Sequence, residues 1–395
     1  MGSPPRTEPT MDAEVPVQHR RRPSPGDRRS LAIAAAALLL AACTATTDET
    51  TPAPAPTPAD VCSQEPSRPG QDQSLQELLD RAAADGPGGV AAALGRHGEE
   101  VRLCSAGRAD TAGTPLKPDD AFRVGSITKT FVAVVVLQLV EEGALRLDTL
   151  VVDVRPGVPF TEGVTVRQLL NHSSGVPEFL AGEDVEAAIR AEPHRRWTSA
   201  DVLESLDGRE RAFAPGTAHA YSNTNYVIAG MVVEALTGRT VAENVRTRIT
   251  EPLGLHDTAL APDGREPVTG FSPLFDPSGT TEGTSYLALG TAAGAAGGLI
   301  STAGDLAVFY RALGAGKPVR PDLLAEMTVS HGEGYGLGVG TVRLPSGMGF
   351  GHFGAIPGYT AQAVVRPASG DVLVVLSNED DGLRGLSTTR VFHAW

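Results

Sequence analysis

In Ser126-Ile127-Thr128-Lys129 a hydroxyl and an amine stand three residues apart, just ahead of the apolar run Phe131 to Val140. If a helix begins near Ser126, both side chains fall on one face about a turn apart, close enough for the amine to touch the hydroxyl. The run is apolar on nearly all sides, so the helix is buried in the middle of a domain. Burial holds Ser126 at a helix N-terminus, where free N–H groups favour developing negative charge, and it makes Lys129 easier to deprotonate. These are the parts of an activated serine nucleophile. A second group of candidates is Tyr221-Ser222-Asn223. In an extended or turn segment, residues two apart point the same way, so Tyr221 and Asn223 can enter one cleft. The phenol can act as base or proton relay, and the amide can hold both a substrate carbonyl and a lysine. A third is His352-Phe353-Gly354, which puts an imidazole and nearby backbone N–H groups on a strand edge facing a groove. His172, beside Ser173 and Ser174, invites a catalytic pair, but adjacent residues rarely face each other usefully, so it is assigned a structural hydrogen bond in a turn.

The elements that must position these groups follow from periodicity. Leu75, Leu78, Leu79 and Ala82 have helical spacing, and Val90–Leu94 and Val101–Ala106 flank a turn at His97-Gly98, which predicts a helix followed by a β-hairpin. Val164 to Gly175 reads as a short helix running into a turn, and residues 178–207 as a polar, helical cap over the site. Tyr226 to Leu236 is a second apolar helix closed by Gly238. Thr302 to Asp305 reads as a capping box that starts the helix Leu306 to Leu313, and the preceding Gly297-Gly298 as close packing with no ligand. From Tyr335 onward the pattern alternates like antiparallel strands, among them Tyr359 to Arg366 and Asp371 to Ser377. Only Asn378 to Trp395 follow, so a closing helix is expected to be short.

Taken together and in this order, Ser-Ile-Thr-Lys, Tyr-Ser-Asn and His-Phe-Gly resemble the serine β-lactamase and D-alanyl-D-alanine carboxypeptidase superfamily, in the branch with class C β-lactamases, DD-peptidases and related esterases. Leu169 to Gly175, Pro215-Gly216-Thr217 and Pro252-Leu253-Gly254 extend the resemblance over about residues 76 to 390. It implies an α+β fold: an antiparallel β-sheet flanked by helices, plus a mostly helical lobe, with the site in the cleft between. It also implies roles. Ser126 would be acylated, Lys129 and Tyr221 would move its proton, and Asn223 would steady the substrate. The N–H groups of Ser126 and Ala355 would form an oxyanion hole, bordered by His352, Phe353 and Gly354. No metal or cofactor is implied. One departure bears on substrate. Carboxypeptidase relatives carry a hydroxyl where this chain has Phe353, and an arginine on the preceding strand where the nearest candidate here is Arg343. A carboxylate with no partner is expensive to desolvate. D-Ala-D-Ala peptides and β-lactams therefore stand beside two alternatives: a carboxylesterase of the same fold, or a binding sensor that is acylated without turnover.

The formal net charge of −14 argues against nucleic acid as a partner. At the N-terminus, Arg20-Arg21-Arg22 and Arg28-Arg29 precede twelve apolar residues, Leu31 to Ala42, too few to span a bilayer and typical of an export signal. Leu40-Ala41-Ala42-Cys43 resembles a bacterial lipobox, implying a lipidated Cys43 and attachment at the outer face of the cell membrane. Residues 44–75, rich in Pro, Thr and Ala, form a tether, and 76–395 the hydrolase domain, expected to be a monomer acting on a small-molecule or peptide substrate. Cys62 and Cys104 remain after the signal and are expected to pair as a disulfide.

Overall fold

The computed structural model describes residues 75–386, apart from 85, 182, 273–286, 345–346, 381 and 384–385. The export signal, Cys43, residues 44–74 of the tether, Cys62 and residues 387–395, for which a closing helix is expected, lie outside the described residues. Cys104 is buried and disulfide-bonded.

Helix α1 (Leu75–Ala84) leads into strands β1 (Gly89–Gly95) and β2 (Arg102–Gly107), the predicted helix and hairpin. A two-residue strand β3 (Phe122–Arg123) precedes the buried helix α2 (Thr128–Glu141). Helical segments then build the second lobe: α3 (Val151–Val154), α4 (Val166–Leu170), α5 (Glu183–Ala191), α6 (Ser199–Glu204), α7 (Thr224–Thr237), and α8 (Val241–Val245), which runs through a π-helical turn (Arg246–Thr250) into α9 (Glu251–Leu253). The chain returns through β4 (Ala259–Leu260), α10 (Leu287–Gly297), β5 (Leu299–Ser301), α11 (Ala303–Gly314) and α12 (Pro321–Met327). Strands β6 (Gly340–Leu344), β7 (Gly347–Ile356), β8 (Tyr359–Arg366) and β9 (Asp371–Ser377) complete it.

The main sheet is antiparallel throughout, in the order β2-β1-β9-β8-β7-β6, so both ends of the domain meet at its centre, with Ala92 opposite Val375. Every residue of β1 and β9 is buried, because helices cover both faces. Val90, Ala92, Leu94, Leu373 and Val375 pack with Leu79 of α1. The alternate residues Ala91, Ala93, Val372, Val374 and Leu376 join Phe309 of α11 and the core of the helical lobe. Phe309 stacks on Phe131 of α2 with ring centroids 3.8 Å apart, joining the sheet layer to the central helix. Among the described residues, no helix is long and apolar enough to cross a membrane.

Three local expectations change. Residues Tyr335 to Val339 form no strand: Tyr335 makes a single antiparallel bridge to Gly340, and its ring packs against His172 of the helical lobe. Helix α11 starts at Ala303 with half of the predicted capping box. Thr302 Oγ1 accepts from Asp305 N at 3.1 Å, but the Asp305 carboxylate turns away to Asp257 N and Thr258 Oγ1. Ser126 lies in a 3₁₀ turn, Gly125–Ile127, and the α-helix begins two residues later.

Candidate active site

That turn is fixed by its neighbours. Thr128 Oγ1 donates to Gly125 O at 2.7 Å and accepts from Leu299 N at 3.0 Å, tying the start of α2 to β5. Gly125 has φ 50°, and a Cβ there would lie 2.8 Å from Ala355 O and 2.9 Å from Ala355 N. Only glycine takes this conformation cheaply in so little space. The turn presents Ser126 toward Lys129, whose Nζ lies 2.9 Å from Ser126 Oγ, 2.7 Å from Asn223 Oδ1 and 2.7 Å from Ala296 O. Lys129 is fully buried, and desolvation lowers its pKa to about 7 against the opposing pull of Glu178. Asn223 Oδ1 and Ala296 O can only accept. A neutral amine gives its two N–H bonds to them, which leaves its lone pair facing the Ser126 hydroxyl.

Asn223 stands at the N-terminal end of α7. Its Nδ2 donates to Glu178 Oε1 at 3.2 Å and its backbone N to Glu178 Oε2, which turns Oδ1 toward Lys129. Tyr221 is 42 % exposed, yet its hydroxyl sits among packed groups and hydrogen-bonds the Ser126 side chain. Desolvation raises its pKa far above that of a free phenol, the Ser126 bond lowers it and Glu178 adds to the rise, so the phenol keeps its proton at neutral pH. His172 is buried, with φ 60°, and forms no pair with Ser173 or Ser174; its Nδ1 lies 3.2 Å from Ser222 N.

On β7, Gly354 crosses the Ser126 turn so closely that a Cβ would lie 2.0 Å from Val124 O and 3.2 Å from Ser126 N. His352 is buried beside it. Its Nδ1 contacts Phe353 O at 2.5 Å and its Nε2 the Tyr335 hydroxyl at 2.8 Å. Because a carbonyl only accepts, the proton sits on Nδ1 and Nε2 accepts from Tyr335. Desolvation, with the Lys129 charge, lowers the His352 pKa to about 3. Phe353 is 52 % exposed on the opposite face of the strand and does not line the cavity that Ala355 lines. That cavity, of about 260 Å³, is walled by Ser126, Asn223, Ala355 and Ile356 on one side and by Phe179, Leu180 and Ile189 with α10 on another. Glu186 is the one charged residue among those lining it, and Arg343, exposed on β6, is not among them.

The geometry thus brings Ser126, Lys129, Tyr221, Asn223 and Ala355 together, with His352 one layer behind and Phe353 outside. Reading the sequence missed Glu178, the Ala296 carbonyl and Gly297, which lines the cavity. For Glu178 the signal was a lone acid shortly after Ser174-Gly175; a backbone carbonyl leaves none.

Residues 75–393 match the β-lactamase family. The chain belongs to the β-lactamase family of serine hydrolases. It is 28 % identical over 292 residues to penicillin-binding protein 4* of Bacillus subtilis (strain 168), a match covering 69 % of this chain but only 63 % of that protein. It is 31 % identical over 307 residues to esterase EstB of Burkholderia gladioli, covering 68 % of this chain and 75 % of the esterase. Among solved structures it resembles a D-stereospecific amidohydrolase from Streptomyces sp., with a TM-score of 0.69 and 36 % identity, covering 77 % of this chain and 93 % of that one. The family's fold, an antiparallel sheet with helices, is the α+β arrangement the motifs implied. As a member of this family the chain is a serine hydrolase.

Proposed function

We propose that this β-lactamase-family hydrolase works through an acyl-enzyme on Ser126 and cleaves small amides or esters that carry no carboxylate. The observation that carries the first half is the environment of Lys129 Nζ: two partners that can only accept, and a third, the Ser126 hydroxyl, that can donate. In acylation Ser126 Oγ bonds to the substrate carbonyl carbon and its proton passes to Lys129 Nζ. The carbonyl oxygen becomes an oxyanion beside the N–H groups of Ser126 and Ala355, where losing one donor typically costs about 3–4 kcal/mol. Tyr221 then gives its proton to the departing nitrogen or oxygen as that bond breaks and recovers one from the Lys129 ammonium. Water attacks the ester and releases the acid and Ser126.

The second half rests on the cavity. Its lining holds no lysine or arginine among the described residues, and its one charged side chain is the Glu186 carboxylate. A carboxylate-terminated peptide would be desolvated there without a partner. An amide or ester with a neutral or amino-bearing acyl group meets no such cost, and a D-amino-acid amide is the first substrate to try, because the chain also resembles a D-amino acid amidase from Ochrobactrum anthropi SV3 (31 % identity, TM-score 0.71). The lipobox reading places this activity at the outer face of the membrane through Cys43.

The test compares turnover of D-phenylalanine amide, a short-chain nitrophenyl ester, a D-Ala-D-Ala peptide and a chromogenic cephalosporin. Labelling with a fluorophosphonate and peptide mapping accompanies it. Label on Ser126 with amide or ester turnover is expected. Equal labelling of Ser126→Ala would end the acyl-enzyme reading, and a strong preference for the D-Ala-D-Ala peptide would end the cavity argument.

A further inference from the structure

His172 lies at the end of the turn after α4 and touches three consecutive residues of the segment that carries the site phenol. Its carbonyl accepts from Ala220 N at 3.1 Å. Its ring lies against the Tyr221 ring, with centroids 4.2 Å apart and planes tilted by 37°. Its Nδ1 lies 3.2 Å from Ser222 N and 3.1 Å from Asn225 Nδ2. A backbone N–H can only donate, so Nδ1 is bare and accepts. Asn225 Oδ1 is engaged by Ser174 Oγ at 2.5 Å, which turns the amide NH₂ toward the imidazole as a second donor. The ring proton is therefore on Nε2, which has no hydrogen-bond partner among the described residues.

No proton can leave His172 toward Ser126 by this route, and the ring touches neither reacting atom. We infer that His172 is a positioning residue for the reaction: it clamps residues 220–222 so that the Tyr221 hydroxyl stays on Ser126 and the Tyr221 ring seals the wall beside Lys129. The second part follows from Lys129 Nζ lying 4.9 Å from the centroid of the same Tyr221 ring. This inference rests on the Ser126, Lys129 and Tyr221 reading above. It adds that the alignment comes from α4 and its turn, an element that contributes nothing to the cavity lining.

Loss of the clamp should let the phenol swing and admit water beside Lys129. Swinging lowers kcat, by about a hundredfold for a displacement near 1 Å. Hydration raises the Lys129 pKa, so the rising limb of kcat/KM moves to higher pH. The titratable groups that bear on Lys129 are Glu178, His172, His352, Tyr221 and Tyr226, and none of them changes charge when neutral His172 is replaced.

The experiment uses the full chain with His172→Asn, which tolerates the left-handed backbone, and with His172→Phe, which keeps the ring and loses Nδ1. Nitrophenyl ester turnover is followed against pH. For both variants a fall in kcat with little change in KM is expected, with the rising limb displaced upward. In a Tyr221→Phe background, His172→Asn should cost little more, because the effect runs through the phenol. Full kcat in either variant, an unmoved limb, or additive losses in the double variant would each overturn the inference. Where neither variant folds, nitrogen NMR of the wild-type imidazole decides: a bare Nδ1 at neutral pH is required, and a protonated one refutes the clamp. Failure of the Ser126 reading is told apart by Ser126→Ala, which would then keep its turnover.

Discussion

At the scale of single residues, the costly group is the Lys129 ammonium. Its pKa is 10.5 when free and about 7 in the folded chain. Between those values the unfolded chain carries a proton that the folded chain has lost. Stability therefore rises with pH across the window and is lost as pH falls toward 7, with a slope of at most about 1.4 kcal/mol per pH unit. Urea unfolding of the wild type and Lys129→Met at pH 7 and pH 9 should show the wild type gaining relative to the variant; a constant difference would contradict the buried amine. The same pKa places the rising limb of kcat/KM near neutral pH, because the neutral amine is the form that accepts the Ser126 proton. Glu178 opposes the depression. Glu178→Gln keeps an acceptor for Asn223 while removing the charge, so that limb should move to lower pH, as a pH–rate profile would reveal.

At the scale of elements, the site depends on how closely β7 crosses the Ser126 turn. Gly354→Ala puts a methyl 2.0 Å from the Val124 carbonyl, on backbone that cannot rotate away. Overpacking of this kind costs about 1–3 kcal/mol, and the separation of β7 from the turn should also lower kcat in the fraction that remains folded. Circular dichroism melts combined with active-site titration separate the two effects; a variant with wild-type kcat per labelled Ser126 would show that the crossing does not shape the site. The strand alternates, so His352 and Gly354 face the Ser126 turn together, while Phe353 lies on the outer face with Ala355, and of those two only Ala355 reaches the cavity.

At the scale of the whole molecule, charge in the cavity should govern which substrates enter. Glu186→Lys puts a cation where a substrate carboxylate would lie, and the ratio of kcat/KM for a D-Ala-D-Ala peptide over D-phenylalanine amide should rise by about tenfold. An unchanged ratio would mean that Glu186 does not meet the substrate. The lipobox reading makes a separate prediction: Cys43→Ser should move the enzyme from the membrane fraction to the soluble fraction on cell fractionation, with turnover intact. Retention on the membrane would refute attachment through that sulfur.

The sequence by itself determined two local pairs, Ser126 with Lys129 within one turn and Tyr221 with Asn223 within one short segment. Such local spacing survives any packing of the rest. It also determined the central helices and the buried strands, because long apolar runs have few ways to leave water. Only the tertiary structure decided that the two pairs meet and what surrounds them. That Ala296 offers its carbonyl, that Glu178 aims Asn223, that Tyr335 meets His352, and that His172 holds the tyrosine segment all depend on contacts between residues far apart in the chain. Backbone groups and single acids carry no local pattern, so their roles emerge only when the two lobes close on one another.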